Sequence, residues 1–216
     1  MTALTWDVVG ERRYETGLDR GVLYSPTGAV PWNGLVSVDE SSSRESKSYY
    51  TDGIKYLERQ IPGNYQASLK AFTYPDALEP LLGVSEYEPG VFLYDQPGGV
   101  FSLSYRTRVG NDVEGTEYGY KLHVVYNVMA TPGNSSYGTL SDSPSANLFE
   151  WSLSATPPQM LGVRPTSHIS LSSREIDPAL LMQVENRLYG TDEAEPELPS
   201  MIELLDLVSA FYAEAP

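Results

Sequence analysis

Apolar and polar residues alternate with a period of two along most of the first 174 positions of this 216-residue chain. That is the spacing of half-buried β-strands. In 100–109, Phe101, Leu103, Tyr105 and Val109 share one face, and Ser102, Ser104, Arg106 and Arg108 the other. In 117–128, Tyr118, Tyr120, Leu122, Val124, Tyr126 and Val128 alternate with Lys121, His123 and Asn127. The turn-forming run Gly110-Asn111-Asp112-Val113-Glu114-Gly115 separates them, which predicts a hairpin with one apolar, Tyr-rich face. Further strands are expected at 11–17, 20–25, 34–41, 46–58, 64–74, 91–95, 147–155 and 166–172. A short helix is expected over 75–83, opened by Pro75 and closed by Gly83. Strands this short, divided by Gly and Pro, predict a mainly β fold: an antiparallel two-sheet sandwich or barrel.

The period changes near residue 175. Asp177-Pro178 reads as an N-cap followed by proline at the first helical position; Leu181, Val184 and Leu188 follow at helical spacing, with Gly190 as the stop. A proline-broken acidic linker, TDEAEPELP (191–199), leads to Ser200 and Glu203, a capping-box pair opening a second helix that contains Leu204 and Leu207. Helices of this length are marginal alone in water, so their apolar stripes need a surface to dock on. The expected organisation is a β-sandwich body at 1–174 and an acidic helical extension at 175–216.

Charge sharpens that division. The body carries 13 basic and 19 acidic side chains, a net of −6; the extension carries one basic and 10 acidic side chains, a net of −9. A chain with formal charge −15 is a poor candidate for binding nucleic acid by phosphate neutralisation. Without cysteine there are no disulfides or thiolate sites. No apolar run approaches the ~18 residues of a membrane span, and no signal-peptide pattern opens the chain.

Catalytic chemistry is thinly supplied. No phosphate-binding loop, Rossmann fingerprint, nucleophile elbow or zincin motif occurs. His123 and His168 each fall on the polar face of a strand and read as ordinary surface residues, with a paired metal or acid–base role as the alternative. Asp112, Glu114 and Glu117 do not match a calcium-loop spacing and read as an acidic hairpin tip. No enzyme, cofactor or metal is expected. The polar segment 37–60, SVDESSSRESKSYYTDGIKYLERQ, reads either as a surface loop or as an interaction loop that orders against a neighbour.

Several blocks carry a family resemblance: GLDRGVLYSPTGAVPWNGLVSVDESS, SYYTDGIKYLERQIPGNYQASLKAFTYPDALEPLLG, YGYKLHVVYNVMATP, LFEWSLSATPP, RPTSHISLSSREIDPALL and ENRLYGTDEAEPELPSMIELL. Together they cover most of the chain, and it resembles the major tail (tail tube) proteins of long-tailed siphophages of actinobacterial hosts. The resemblance implies a non-enzymatic virion protein, assembled in the host cytoplasm into hexameric rings that stack into a DNA conduit. Its partners would be further copies of itself, a tape-measure protein, a tail terminator and distal tail proteins, with double-stranded DNA passing through unbound and no membrane involved. Competing classes are a carbohydrate-binding β-sandwich using exposed Tyr and Trp, and a hydrolase using Asp112, Glu114 or Glu117.

On the tube reading, Tyr49, Tyr50, Ile54, Tyr56 and Leu57 are apolar anchors of an inter-ring loop. Asp39, Glu40, Glu45, Asp112, Glu114 and Glu117 are candidates for a negative lumen. Leu181, Val184, Leu188, Leu204 and Leu207 are the docking stripe of the C-terminal helices.

Overall fold

The computed structural model describes residues 3–42, 45–61, 63–135, 137–139, 146–160 and 164–214. The strands are β1 (Arg13–Ser25), β2 (Gly28–Trp32), β3 (Leu35–Ser42), β4 (Glu45–Thr51), β5 (Ile54–Ile61), β6 (Tyr65–Ala71), β7 (Ser85–Glu88), β8 (Val91–Leu93), β9 (Phe101–Asn111), β10 (Gly115–Pro132), β11 (Phe149–Ala155) and β12 (His168–Ser172). A 3-10 turn, Asp76–Leu82, stands between β6 and β7, and the helices α1 (Pro178–Tyr189) and α2 (Met201–Glu214) end the chain. Among the described residues all strand pairings are antiparallel, as the period-2 pattern predicts. Eight strands form one sheet in the order β2-β1-β9-β10-β11-β6-β3, with β12 also on β10; β4–β5 and β7–β8 are separate ribbons. No helix among the described residues is long and apolar enough to cross a membrane.

The sheet curls until its ends meet. Gly21 of β1 sits so close to β3 that a Cβ there would lie 2.2 Å from Leu35 Cδ1, so a side chain at 21 would pry the ends apart. The curl encloses a first core containing Leu23, Trp32, Leu69, Leu103, Tyr105, Val125, Trp151 and Leu153, capped by Leu78 and Leu81 of the 3-10 turn. Trp32 and Trp151 meet edge to face at 5.5 Å. The Trp32 indole N–H is satisfied by the Thr73 carbonyl at 3.0 Å, as a buried indole requires.

The ribbon β9–β10 departs from the expected single apolar face. Its register pairs Val125 with Leu103 and Val124 with Ser104, so the apolar stripes of the two strands lie on opposite faces. Leu103, Tyr105 and Val125 join the first core, while Leu122, Val124 and Tyr126 join a second. A bulge between Val125 and Val128, with Asn127 at φ 53°, then flips β10 and returns Val128 to the first core.

The second core is closed by the C-terminal helices. Leu180, Leu181, Val184 and Leu188 of α1 and Met201 and Leu204 of α2 pack with Val22, Tyr24, Leu122, Val124, Tyr126 and Leu171. Leu207 lies half-buried at its margin. Asp177 caps α1 by accepting from the Ala179 N–H at 2.8 Å. Ser200 and Glu203 exchange their bonds reciprocally at 2.8 and 3.3 Å. Two tyrosines fasten the segment to the sheet: the Tyr24 hydroxyl donates to the Leu188 carbonyl at 2.8 Å, and the Tyr126 hydroxyl to the Pro199 carbonyl at 3.1 Å.

Elsewhere the boundaries shift. The expected strands 11–17 and 20–25 are one bulged strand, and β2 and β7 go beyond the expected set. The expected strand 46–58 is a hairpin whose Asp52-Gly53 turn has φ of 52° and 77°, the conformation that a two-residue connection requires. The 75–83 helix is a 3-10 turn, with Pro75 outside it and Pro80 inside.

Removing the Leu188 side chain should leave a cavity between α1 and the sheet, so Leu188→Ala should lose about 2–5 kcal/mol. Leu204→Asp should be far more damaging than Leu207→Asp, because only Leu204 is fully buried. Ser200→Ala should lose about 1 kcal/mol. Urea unfolding of the four variants measures the order.

Candidate assembly surfaces and a buried histidine cluster

The β4–β5 hairpin exposes a dense set of apolar side chains. Tyr49 pairs with Leu57 across it and Thr51 with Ile54, while alternation along β5 sends Ile54 and Tyr56 to the face opposite Leu57. Both faces are therefore apolar, and neither is covered: Tyr50, Ile54 and Tyr56 are 66%, 72% and 79% exposed. None of the five belongs to either core. The 37–60 segment is accordingly no irregular loop but strand and hairpin over the positions described, with residues 43 and 44 outside that set. A second such ribbon is β7–β8, of which the sequence pattern predicts the strand at 91–95 but not β7 or its pairing; Tyr87, Val91, Phe92, Leu93 and the following Tyr94 are exposed there. Its signal was a short run of bulky residues beside Glu88-Pro89-Gly90.

The six candidate lumen carboxylates fall into two groups. Asp112, Glu114 and Glu117 lie around the β9–β10 turn. There Asp112 accepts from the Gly10 N–H at 2.9 Å and stands 3.9 Å from Arg12, and Glu117 pairs with Arg108 at 3.0 Å. The Glu114 side chain is exposed. Asp39, Glu40 and Glu45 lie along β3 and at the start of β4; Asp39 accepts from Ser37 at 3.3 Å, and the Glu45 side chain lies outside the described set.

The cations of the β9–β10 ribbon are compensated. Arg106 is buried under α1, 2.8 Å from Asp19 and 3.5 Å from Glu185, with its guanidinium 4.4 Å from the Tyr120 ring centre. Arg108 shares Asp19 at 3.0 Å, and Lys121 pairs with Glu15. Burial alone would raise the Asp19 pKa; the hydrogen bonds and charges of Arg106 and Arg108 outweigh it and hold Asp19 below its ordinary value.

The histidines overturn the surface expectation. His123 is 8% exposed and the His168 side chain 22%, because the register His123–Tyr105 and Val125–His168 carries both toward β3. His123 Nδ1 lies 3.0 Å from His168 Nε2, and His123 Nε2 lies 2.9 Å from Thr107 Oγ1. The His123 ring stacks on Tyr105 at 4.8 Å, and Tyr65 meets His168 edge-on at 5.1 Å. Glu40 closes the cluster: Oε1 lies 3.8 Å from His123 Nδ1, Oε2 lies 3.8 Å from His168 Nδ1, and Oε1 accepts from the Tyr105 hydroxyl. Burial pushes the His123 imidazole down to about 4, with His168 adding to the shift and Glu40 opposing it. Burial lowers His168 as well, again against Glu40. Both rings are neutral at pH 7. No spacing in the sequence announces this cluster, since its members come from three strands up to 128 residues apart in the chain.

No protein-family model and no curated protein matches the chain. Among solved structures, it is similar to a chain of the PVC sheath–tube complex of an extracellular contractile injection system in its extended state: 16% identity, TM-score 0.38, over 71% of this chain and 88% of that one. It is also similar to a chain of the anti-feeding prophage tube-terminating cap: 13% identity, TM-score 0.41, over 80% of this chain and 100% of that one. At these TM-scores the likeness places the chain in no family.

The histidine pair makes stability depend on pH. In the unfolded chain His123 takes up a proton near pH 6.5, whereas in the fold it does so near 4. Between those values the unfolded state binds more protons, so its contribution is complete above about pH 6.5 and is lost as pH falls toward 4. The loss from His123 should reach up to about 3 kcal/mol. Urea midpoints at pH 7 and pH 4.5 should diverge accordingly, and His123→Phe, which keeps the ring stack, should shrink the difference.

Proposed function

We propose that the chain is a structural subunit of a phage-type tail tube, joining further copies of itself in rings that stack into a conduit for DNA. The observation that carries the reading is the β4–β5 arm. A monomer gains nothing from two uncovered faces bearing Tyr50, Ile54, Tyr56 and Leu57, whereas a neighbouring subunit laid against them buries that surface. The sequence blocks resembling siphophage tail tube proteins point the same way. The finer reading is a hexameric ring of siphophage type, with the arm seated on the next ring and the helical extension at 175–216 facing the ring exterior or an assembly partner. The tape-measure, terminator and distal tail proteins complete the set of partners in the virion.

Within that reading the lumen is negative, and Asp39 and Glu114 are its best candidates. Among the described residues, neither carboxylate has a cationic partner, whereas Asp112 and Glu117 are paired with arginines and Glu40 is engaged by the histidine cluster. A wall of uncompensated carboxylates repels phosphates and lets DNA slide without adhering.

Purified protein should form rings or tubes by negative-stain microscopy. Tyr50→Asp combined with Tyr56→Asp should abolish elongation while shifting the melting temperature little, because both side chains lie outside the cores. Protein that stays monomeric across concentration and moderate salt would refute the proposal, and so would normal tubes from the double variant for the arm's part in it.

A further inference from the structure

We infer that Glu40, His123 and His168 form a binding site for a divalent transition metal of the zinc class, at the root of the β4–β5 arm. The donor set is two imidazoles and one carboxylate, with one ligand atom from each lying within 4.8 Å of the others. This is the chemistry that zinc and its neighbours favour over magnesium or calcium. The two nearest ring nitrogens are 3.0 Å apart. Zinc–nitrogen bonds of ~2.0–2.1 Å at tetrahedral angles need a separation of roughly 3.3 Å, so the two nitrogens must part by about 0.3 Å while the rings turn to bring both lone pairs onto the metal. Glu40 Oε1 stands 3.8 Å from His123 Nδ1, a gap that a small rotamer change closes to the separation of two ligands on one metal.

The surroundings orient these donors. Thr107 Oγ1 lies 2.9 Å from His123 Nε2; a proton on that nitrogen donates to the hydroxyl and leaves the Nδ1 lone pair turned to Glu40 and His168. The Tyr105 hydroxyl holds Glu40 Oε1 and its ring stacks on His123. Such outer partners fix ring orientation and tautomer in metal sites. In the metal-free cluster the two facing nitrogens share one proton. When metal binds, His168 coordinates through Nε2 and carries its proton on Nδ1, on the side of Glu40 Oε2, so no net proton is released. The remaining coordination position goes to water.

The site stitches β3 to the paired strands β10 and β12, with which it shares no ladder. Glu40 belongs to β3, His123 to β10 and His168 to β12, while β3 reaches β10 only through β6 and β11. A metal there closes the sheet across that gap, a few residues before the chain enters β4. This inference does not rest on the tube reading.

The test uses the full chain, stripped with a chelator and titrated with Co2+ alone. One equivalent should saturate a visible d–d absorption of tetrahedral type, which Zn2+ then removes and Mg2+ does not. Glu40→Gln and His168→Gln should each weaken binding at least tenfold, whereas Asp39→Asn on the same strand should leave it unchanged. No absorption from the wild-type chain at excess Co2+, or affinity unaltered by Glu40→Gln, would overturn the site and leave a hydrogen-bonded polar cluster. Should the variants fail to fold, the wild-type chain still decides. It has two histidines, and both imidazole spectra must shift together with the first equivalent of Zn2+; a shift in one ring or in neither overturns the site.

Discussion

Strand β10 must satisfy two hydrophobic cores at once, and the rest of the architecture follows from that demand. Over Leu122–Tyr126 its side chains alternate between the interior of the curled sheet and the face covered by α1 and α2. A strand buried on both sides is ordinary in parallel sheets but uncommon in an antiparallel one, where one face usually meets water. Here the second face cannot be left open, because Leu122, Val124 and Tyr126 would form an exposed apolar stripe beside β12. The bulge before Val128 extends the same strand into β11 pairing without turning its apolar residues outward. One strand thus serves β9 along one side and both β11 and β12 along the other.

Polar groups caught between these layers are matched in pairs. Arg106 lies beneath α1 because Asp19 on β1 and Glu185 on α1 meet it there. An arginine in that position without carboxylates would cost several kcal/mol. The triad therefore works as a register mark between helix and sheet, a charge constraint laid over a nonspecific apolar contact. The histidines solve the same problem differently: buried next to each other, they discard their charge and share hydrogen bonds with Thr107 and with each other.

Local signals in the chain announced the elements well. Asp177, Pro178, Ser200 and Glu203 delimit the helices through contacts within three residues, and contacts of that range are written in consecutive letters. The strand alternation was equally plain. What escaped the sequence was relative phase. Nothing in Phe101-Ser-Leu-Ser-Tyr or in Tyr120-Lys-Leu-His-Val says which residue of one strand will stand opposite which residue of the other, and a one-residue change of register moves a whole stripe to the other face. The same gap hid the histidine cluster, because two polar-looking positions on separate strands reveal their neighbours only when the sheet closes. The Asp52-Gly53 turn was legible by its residue types but sat inside a segment dominated by charge and serine. The exposed tyrosines and leucine of that arm were readable as anchors, whereas their display on both sides of a ribbon follows only from its pairing.

Tyr24 and Tyr126 hold the C-terminal segment by its main chain, through the carbonyls of Leu188 and Pro199. A carbonyl is presented by every amino acid, so these anchor points impose no residue identity on the stretch they hold. Between them the exposed run 192–195 is thereby free to drift in sequence while the two ends remain fixed in space, whereas Gly190, at φ 78°, and Leu198, packed on the second core, keep their identities. The acidity of that run can rise or fall with the needs of whatever it faces, and the helices on either side keep their seats. The hydroxyls that allow this belong to the sheet, so the freedom of the tail is underwritten by two residues of the body.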